Sequence, residues 1–91
     1  MEVDIKLLVK TYPKSIIEDI YNLIIDDSVF PRTNLIYDII NYRRNLKDSP
    51  DVDFIQNEIA IINAITAKRT VRSALRRKLY NYISPVTTIN N

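Results

Sequence analysis

Residues 50–83 read PDVDFIQNEIAIINAITAKRTVRSALRRKLYNYI, and this stretch decides the fold. Ser49 is a good cap, Pro50 suits the first helical position, and Asp51 and Asp53 suit the positive end of a helix. From there to Ile83 every residue is compatible with helix. As one rod the segment would extend about 50 Å at 1.5 Å per residue. A compact domain of this size is only about 30 Å across. The helix therefore breaks, or it projects and is buried against a second copy. The expected break lies at 63–66, where Asn63 is a weak helix former and Thr66 a good N-cap.

Upstream, Pro13 opens an amphipathic helix over about 13–26, with Ile16, Ile17, Ile20, Tyr21, Leu23 and Ile24 on one face. Asp26, Asp27 and Ser28 end it, and Pro31 opposes continuation. Thr33 is the expected cap of a helix whose core stripe is Leu35, Ile36, Ile39, Ile40 and Tyr42, with Arg43, Arg44 and Lys47 in its last turns. Residues 3–9 fit two patterns. Val3, Ile5, Leu7 and Val9 alternate as in a strand, whereas Ile5, Leu8 and Val9 form a helical stripe; helix is preferred because no second strand offers a partner. The expected architecture is all-α, about four helices in one domain over 1–83, ending in a long basic helix that either breaks or projects. Residues 84–91 are expected to form a loosely ordered tail.

Composition narrows the chemistry. The 91 residues, 46% of them hydrophobic, suffice for one core and not two. The chain has no Cys, no His and no Gly. It therefore lacks disulfides, thiolate sites, the commonest general base and every glycine-rich phosphate loop. Asp26/Asp27 and Asp51/Asp53 read as helix-end residues rather than metal ligands, and the serines have no histidine to activate them. No enzyme and no cofactor is expected. No apolar run approaches the roughly 20 residues of a spanning helix, and Met1–Lys6 does not read as a signal peptide. A cytoplasmic location follows as an expectation. The richness in Ile, Asn, Lys and Tyr matches AT-rich genomes, viral and phage ones among them.

Charge is unevenly distributed. All 11 acids lie in residues 1–58, while Lys68, Arg69, Arg72, Arg76, Arg77 and Lys78 follow with no acid among them. A net charge of +2 conceals that local field. On a helical wheel with Lys68 at 0°, Arg72, Arg76 and Arg69 fall at about 40°, 80° and 100°. Ala74, Ala67, Val71, Tyr82, Leu75 and Leu79 occupy about 240° round to 20°. Arg77, at about 180°, widens the basic arc, and Lys78, at about 280°, must snorkel from the apolar one. One face packs and one presents guanidinium groups, the division a DNA-reading helix needs.

Asn57-Glu58-Ile59-Ala60, then Ala64-Ile65-Thr66, then Thr70-Val71-Arg72-Ser73-Ala74-Leu75-Arg76-Arg77 resembles the helix-turn-helix of winged-helix transcriptional regulators. Ala64 stands where that turn usually has glycine, one extra residue lies between Thr66 and Val71, and no wing hairpin is read in 84–91. The resemblance implies a DNA-binding regulator, with Lys68, Arg69, Arg72 and Arg76 on DNA and Arg77 and Lys78 as flanking phosphate contacts. It also implies a homodimer on two half-sites. A second echo, an alternating N-terminus followed by helices opened by Pro13 and by Arg32-Thr33-Asn34-Leu35-Ile36, is similar to ribbon-helix-helix dimers. Its reading face would carry Glu2, Asp4 and Lys6, and two acids facing phosphate argue against it. The alternative function is a small viral or phage protein that binds and inhibits an acidic host protein, without nucleic acid. A purely structural helical assembly protein is a third.

Overall fold

A computed structural model describes residues 2–23 and 29–83, leaving aside the side chains of 23 and 29–31. Five helices make up the described chain: α1 (Ile5–Thr11), α2 (Lys14–Leu23), α3 (Val29–Arg44), α4 (Val52–Thr66) and α5 (Arg69–Ile83). The architecture is all-α, with no strand among the described residues. The expected helix end at 26–28 and the expected tail at 84–91 lie outside the described residues.

The N-terminal ambiguity resolves as helix. The Asp4 carboxylate accepts from the Leu7 N–H at 3.0 Å and caps α1. Leu8 is fully buried, and Val3, Ile5 and Val9 pack beside it. Tyr12 is extended, as a residue before proline must be. The Pro13 carbonyl accepts from the Ile16 and Ile17 N–H groups, so α2 opens where the sequence places it.

Three helix boundaries differ from the sequence expectation. First, α3 begins at Val29 rather than after Thr33, because Pro31 falls in its first turn, where a missing N–H costs nothing. Second, the cap of α4 is Asp51 rather than Ser49: its carboxylate accepts from the Phe54 N–H at 2.9 Å. Third, the long segment breaks at Ala67 and Lys68, just after the expected 63–66. Thr66 closes α4 instead of capping α5, and its hydroxyl donates to the Ile62 and Asn63 carbonyls at 3.0 and 3.2 Å. Ala67 is extended (φ −76°, ψ 174°), and the Lys68 carbonyl receives the Val71 and Arg72 N–H groups that start α5. The principal extents are 43 × 28 × 23 Å. No 50 Å rod projects, which removes that reason for expecting a dimer.

The short α1 packs on α2, α4 and α5, while α2 also packs on α3 and α5, and α4 on α3 and α5. Leu8, Ile20, Ile39, Ile61, Ile65 and Leu79 are the fully buried large side chains, so every helix supplies at least one. Burying each stabilises the fold by about 1.5–3 kcal/mol relative to exposure. Beside this core the Tyr12 ring stacks on Phe54 and tilts against Tyr42, at centroid distances of 5.3 and 5.4 Å. The Tyr42 hydroxyl donates to the Thr11 carbonyl at 2.8 Å, tying α3 to the end of α1.

Candidate nucleic-acid interface

The basic segment of the sequence is the connection 67–68 and helix α5. Leu75 and Leu79 anchor that helix in the core, at wheel positions of about 340° and 20°. The seam is thus turned toward the cations by roughly 50° from the centre of the expected apolar arc. Val71 and Tyr82, expected inside, are exposed.

This rotation divides the six basic residues. Arg72 is only 4% exposed. Its Nη1 donates to the Ala67 carbonyl at 3.1 Å, so a cation sits at the negative end of α4. Arg76 is half-buried against α2. Its Nη2 donates to the Tyr21 hydroxyl at 3.1 Å, and its guanidinium lies 4.7 Å from the centre of the Tyr21 ring. Such a stacked arginine is fixed by both cation–π attraction and hydrogen bonding. Tyr80 flanks the pair, 6.4 Å from Tyr21 between ring centres. Lys78 is exposed and pairs with Glu2 at 3.3 Å, a surface contact worth little in water.

Lys68, Arg69 and Arg77 remain exposed. The outward face of α5 carries Arg69, Thr70, Arg77, Tyr80 and Asn81, with Ser73 half-buried among them. No carboxylate occurs anywhere in α5. The structure therefore brings Arg69 and Arg77 to one face with three hydroxyl groups, and draws Arg72 and Arg76 away from it.

Two polar residues of α4 carry roles that sequence reasoning missed. Glu58 falls within the helix-turn-helix resemblance, which implies no partner for it. Its side chain is 7% exposed, and both carboxylate oxygens accept from the Arg43 Nε, at 2.9 and 2.8 Å. The available signal was its place on an apolar stripe with Phe54, Ile61 and Ile65, since a buried carboxylate demands a cation. Asn57, also buried, accepts from the Asp4 N–H at 2.8 Å and donates to the Asp4 carbonyl at 3.2 Å. The neighbouring Tyr12 hydroxyl is buried without a hydrogen-bond partner. Burial pushes that phenol above its ordinary range, the Glu58 carboxylate adds to the rise, and Arg43 opposes it.

A groove of about 410 Å³ runs between α4, α5 and the N-terminal residues, lined by Val3, Ala60, Ala64, Val71, Ala74 and Lys78. Glu2 joins it to a second hollow beside Asp4, Asp51 and Asp53. Asp4 and Asp51 are both helix caps. Among the described residues no three acidic side chains are grouped to hold a metal ion, and no helix is long and apolar enough to cross a membrane. Comparison with known proteins finds no family model, curated protein or solved structure that matches this chain.

Proposed function

We propose that this protein is a small DNA-binding regulator acting in the cell interior, and that it meets DNA with the outward face of α5. The observation that carries the reading is the composition of that face: exposed Arg69 and Arg77, accompanying hydroxyls and no carboxylate. The resemblance of residues 57–77 to a helix-turn-helix supports it, as does the bracing of α5 on α1, α2 and α4. In this reading Arg69 and Arg77 contact phosphates, with Lys68 and Lys78 adding to the local field. Arg72 and Arg76 hold the helix in place rather than touching DNA.

Fluorescence anisotropy with duplex DNA at about 50 and about 200 mM salt tests the proposal. The expected result is binding that weakens with salt, with a logarithmic slope of about −0.9 per phosphate neutralised, and that Arg69→Glu/Arg77→Glu abolishes. Absence of binding at the lower salt, or a double variant that binds like the wild type, overturns it.

A second reading is supported by a different observation. Val71, Tyr80, Tyr82 and Ile83 are all exposed on α5. Aromatic and aliphatic side chains beside cations suit the surface of an acidic protein, such as a host target of a viral or phage inhibitor. A stoichiometric host protein that copurifies after nuclease treatment, together with no DNA binding, favours this reading over the first.

A further inference from the structure

Helix α4 turns Phe54, Glu58, Ile61 and Ile65 inward, and on its other side it carries Val52, Gln56, Ile59, Asn63 and Thr66. All five of these are exposed, and Val52 and Ile59 keep 68% and 45% of their surface in water. Their spacing alternates between four and three residues, which is the seam spacing of helices that pack along their length. The stripe is near-symmetric about Ile59. One amide side chain stands on each side of it, Gln56 and Asn63, and a β-branched residue closes each end, Val52 and Thr66.

The ends carry opposite charge. Asp51 and Asp53 are exposed at the N-terminal end of α4, and Lys68 is exposed just beyond its C-terminal end. Fifteen residues along this axis put Asp53 and Lys68 about 22 Å apart in one chain, too far to pair. A surface with an apolar centre and opposite charges at its two ends is complementary to itself after a half-turn.

We propose that the protein forms a two-fold homodimer through this face, with the two α4 helices antiparallel and crossing at Ile59. The half-turn places Ile59 on Ile59 of the second copy, Gln56 beside its Asn63, Val52 beside its Thr66, and Asp53 beside its Lys68. The antiparallel arrangement also sets opposite helix ends together. Asn63 belongs both to this stripe and to the α4–α5 groove, so exposed Val71 at the groove's rim widens the contact beyond one helix seam. Stable dimers bury about 800 Å² per partner, more than one seam supplies, and the groove is where the remainder lies. A second copy is the occupant this charge pattern specifies, since a foreign partner would have to reproduce the same order of acid, apolar centre and base.

Sedimentation equilibrium of the full chain, without DNA, tests the proposal. The wild type is expected at twice its 10.7 kDa mass. Ile59→Arg sets two like charges at the two-fold axis and is expected to give a monomer with unchanged helical circular dichroism. Asp53→Lys and Lys68→Asp are each expected to weaken the dimer about tenfold, and the double variant to restore it. Restoration arises only between copies, because the two positions are too far apart within one. A wild type that stays monomeric across the accessible concentration range overturns the proposal. So does a dimer indifferent to Ile59→Arg, or a double variant no tighter than the single ones. The mass is read without nucleic acid, so failure of DNA binding leaves this inference standing, and a monomer leaves the DNA reading standing.

Discussion

Tyr12 presents a buried phenol whose hydroxyl makes no hydrogen bond, packed between two aromatic rings and near Glu58. An unsatisfied buried hydroxyl costs about 1–3 kcal/mol, so removing it while keeping the ring relieves a penalty. Tyr12→Phe is therefore expected to raise stability at pH 7 by about 0.5–1 kcal/mol, measured by urea unfolding. The pH dependence has a definite sign. The folded-state pKa lies above the ordinary 10.0, so above that value the unfolded chain releases a proton that the folded chain keeps. Stability is then expected to fall as pH rises past about 10, and Tyr12→Phe to flatten that fall. At this scale the sequence was partly legible. Glu58, on an apolar stripe, announces that a cation must meet it. Nothing in the spacing says that the cation is Arg43, because that pairing depends on how α3 lies on α4.

The orientation of α5 shows why a correctly placed helix can still yield a displaced site. A wheel that weights every apolar residue equally is drawn toward Ala67, Ala74, Val71 and Tyr82. Burial free energy scales with apolar area, and alanines contribute little of it. Weighting by aliphatic area leaves Leu75 and Leu79 to set the seam, and Arg72, one turn from Leu75 and two from Leu79, then falls inside. The helix was thus legible in the sequence, and its facing was legible only with that weighting. The break was legible to within a few residues, at 63–66, but not its place at Ala67. Alanine is the best helix former, and the chain turns there because reversal lets Ile61 and Ile65 share a core with Leu75 and Leu79. Arg72 and Arg77 should accordingly behave as opposites. Arg72→Met removes the cation at the end of α4 and is expected to cost about 1–2 kcal/mol of stability. Arg77→Met, on the exposed face, should stay within about 0.5 kcal/mol. Thermal unfolding of the two variants checks the stabilities. In the duplex anisotropy assay Arg77→Met is expected to lose affinity directly, whereas Arg72→Met keeps it wherever the variant remains folded.

Across the whole molecule, α1 depends on everything else. Seven residues are too few for a helix to persist alone in water, yet α1 contacts three other helices and contributes fully buried Leu8. The two hydrogen bonds between Asn57 and the Asp4 backbone hold its start against α4. Asn57→Ala removes both hydrogen bonds to the Asp4 backbone and is expected to cost about 1–2 kcal/mol. Hydrogen exchange would show the α1 amides losing protection before those of α3 and α4, whereas uniform loss would mean that Asn57 supports the core at large.

The Asn57 clamp also bears on the order in which the molecule is made. Its two partners are 53 positions apart in the chain. A ribosome adding about 5–20 residues per second separates their synthesis by several seconds. During that interval α1 has neither its tether nor α4 and α5, two of the three helices it packs on. Helix α1 is thus synthesised before two of its three partners, and the packing that buries Leu8 is completed only when α4 and α5 arrive.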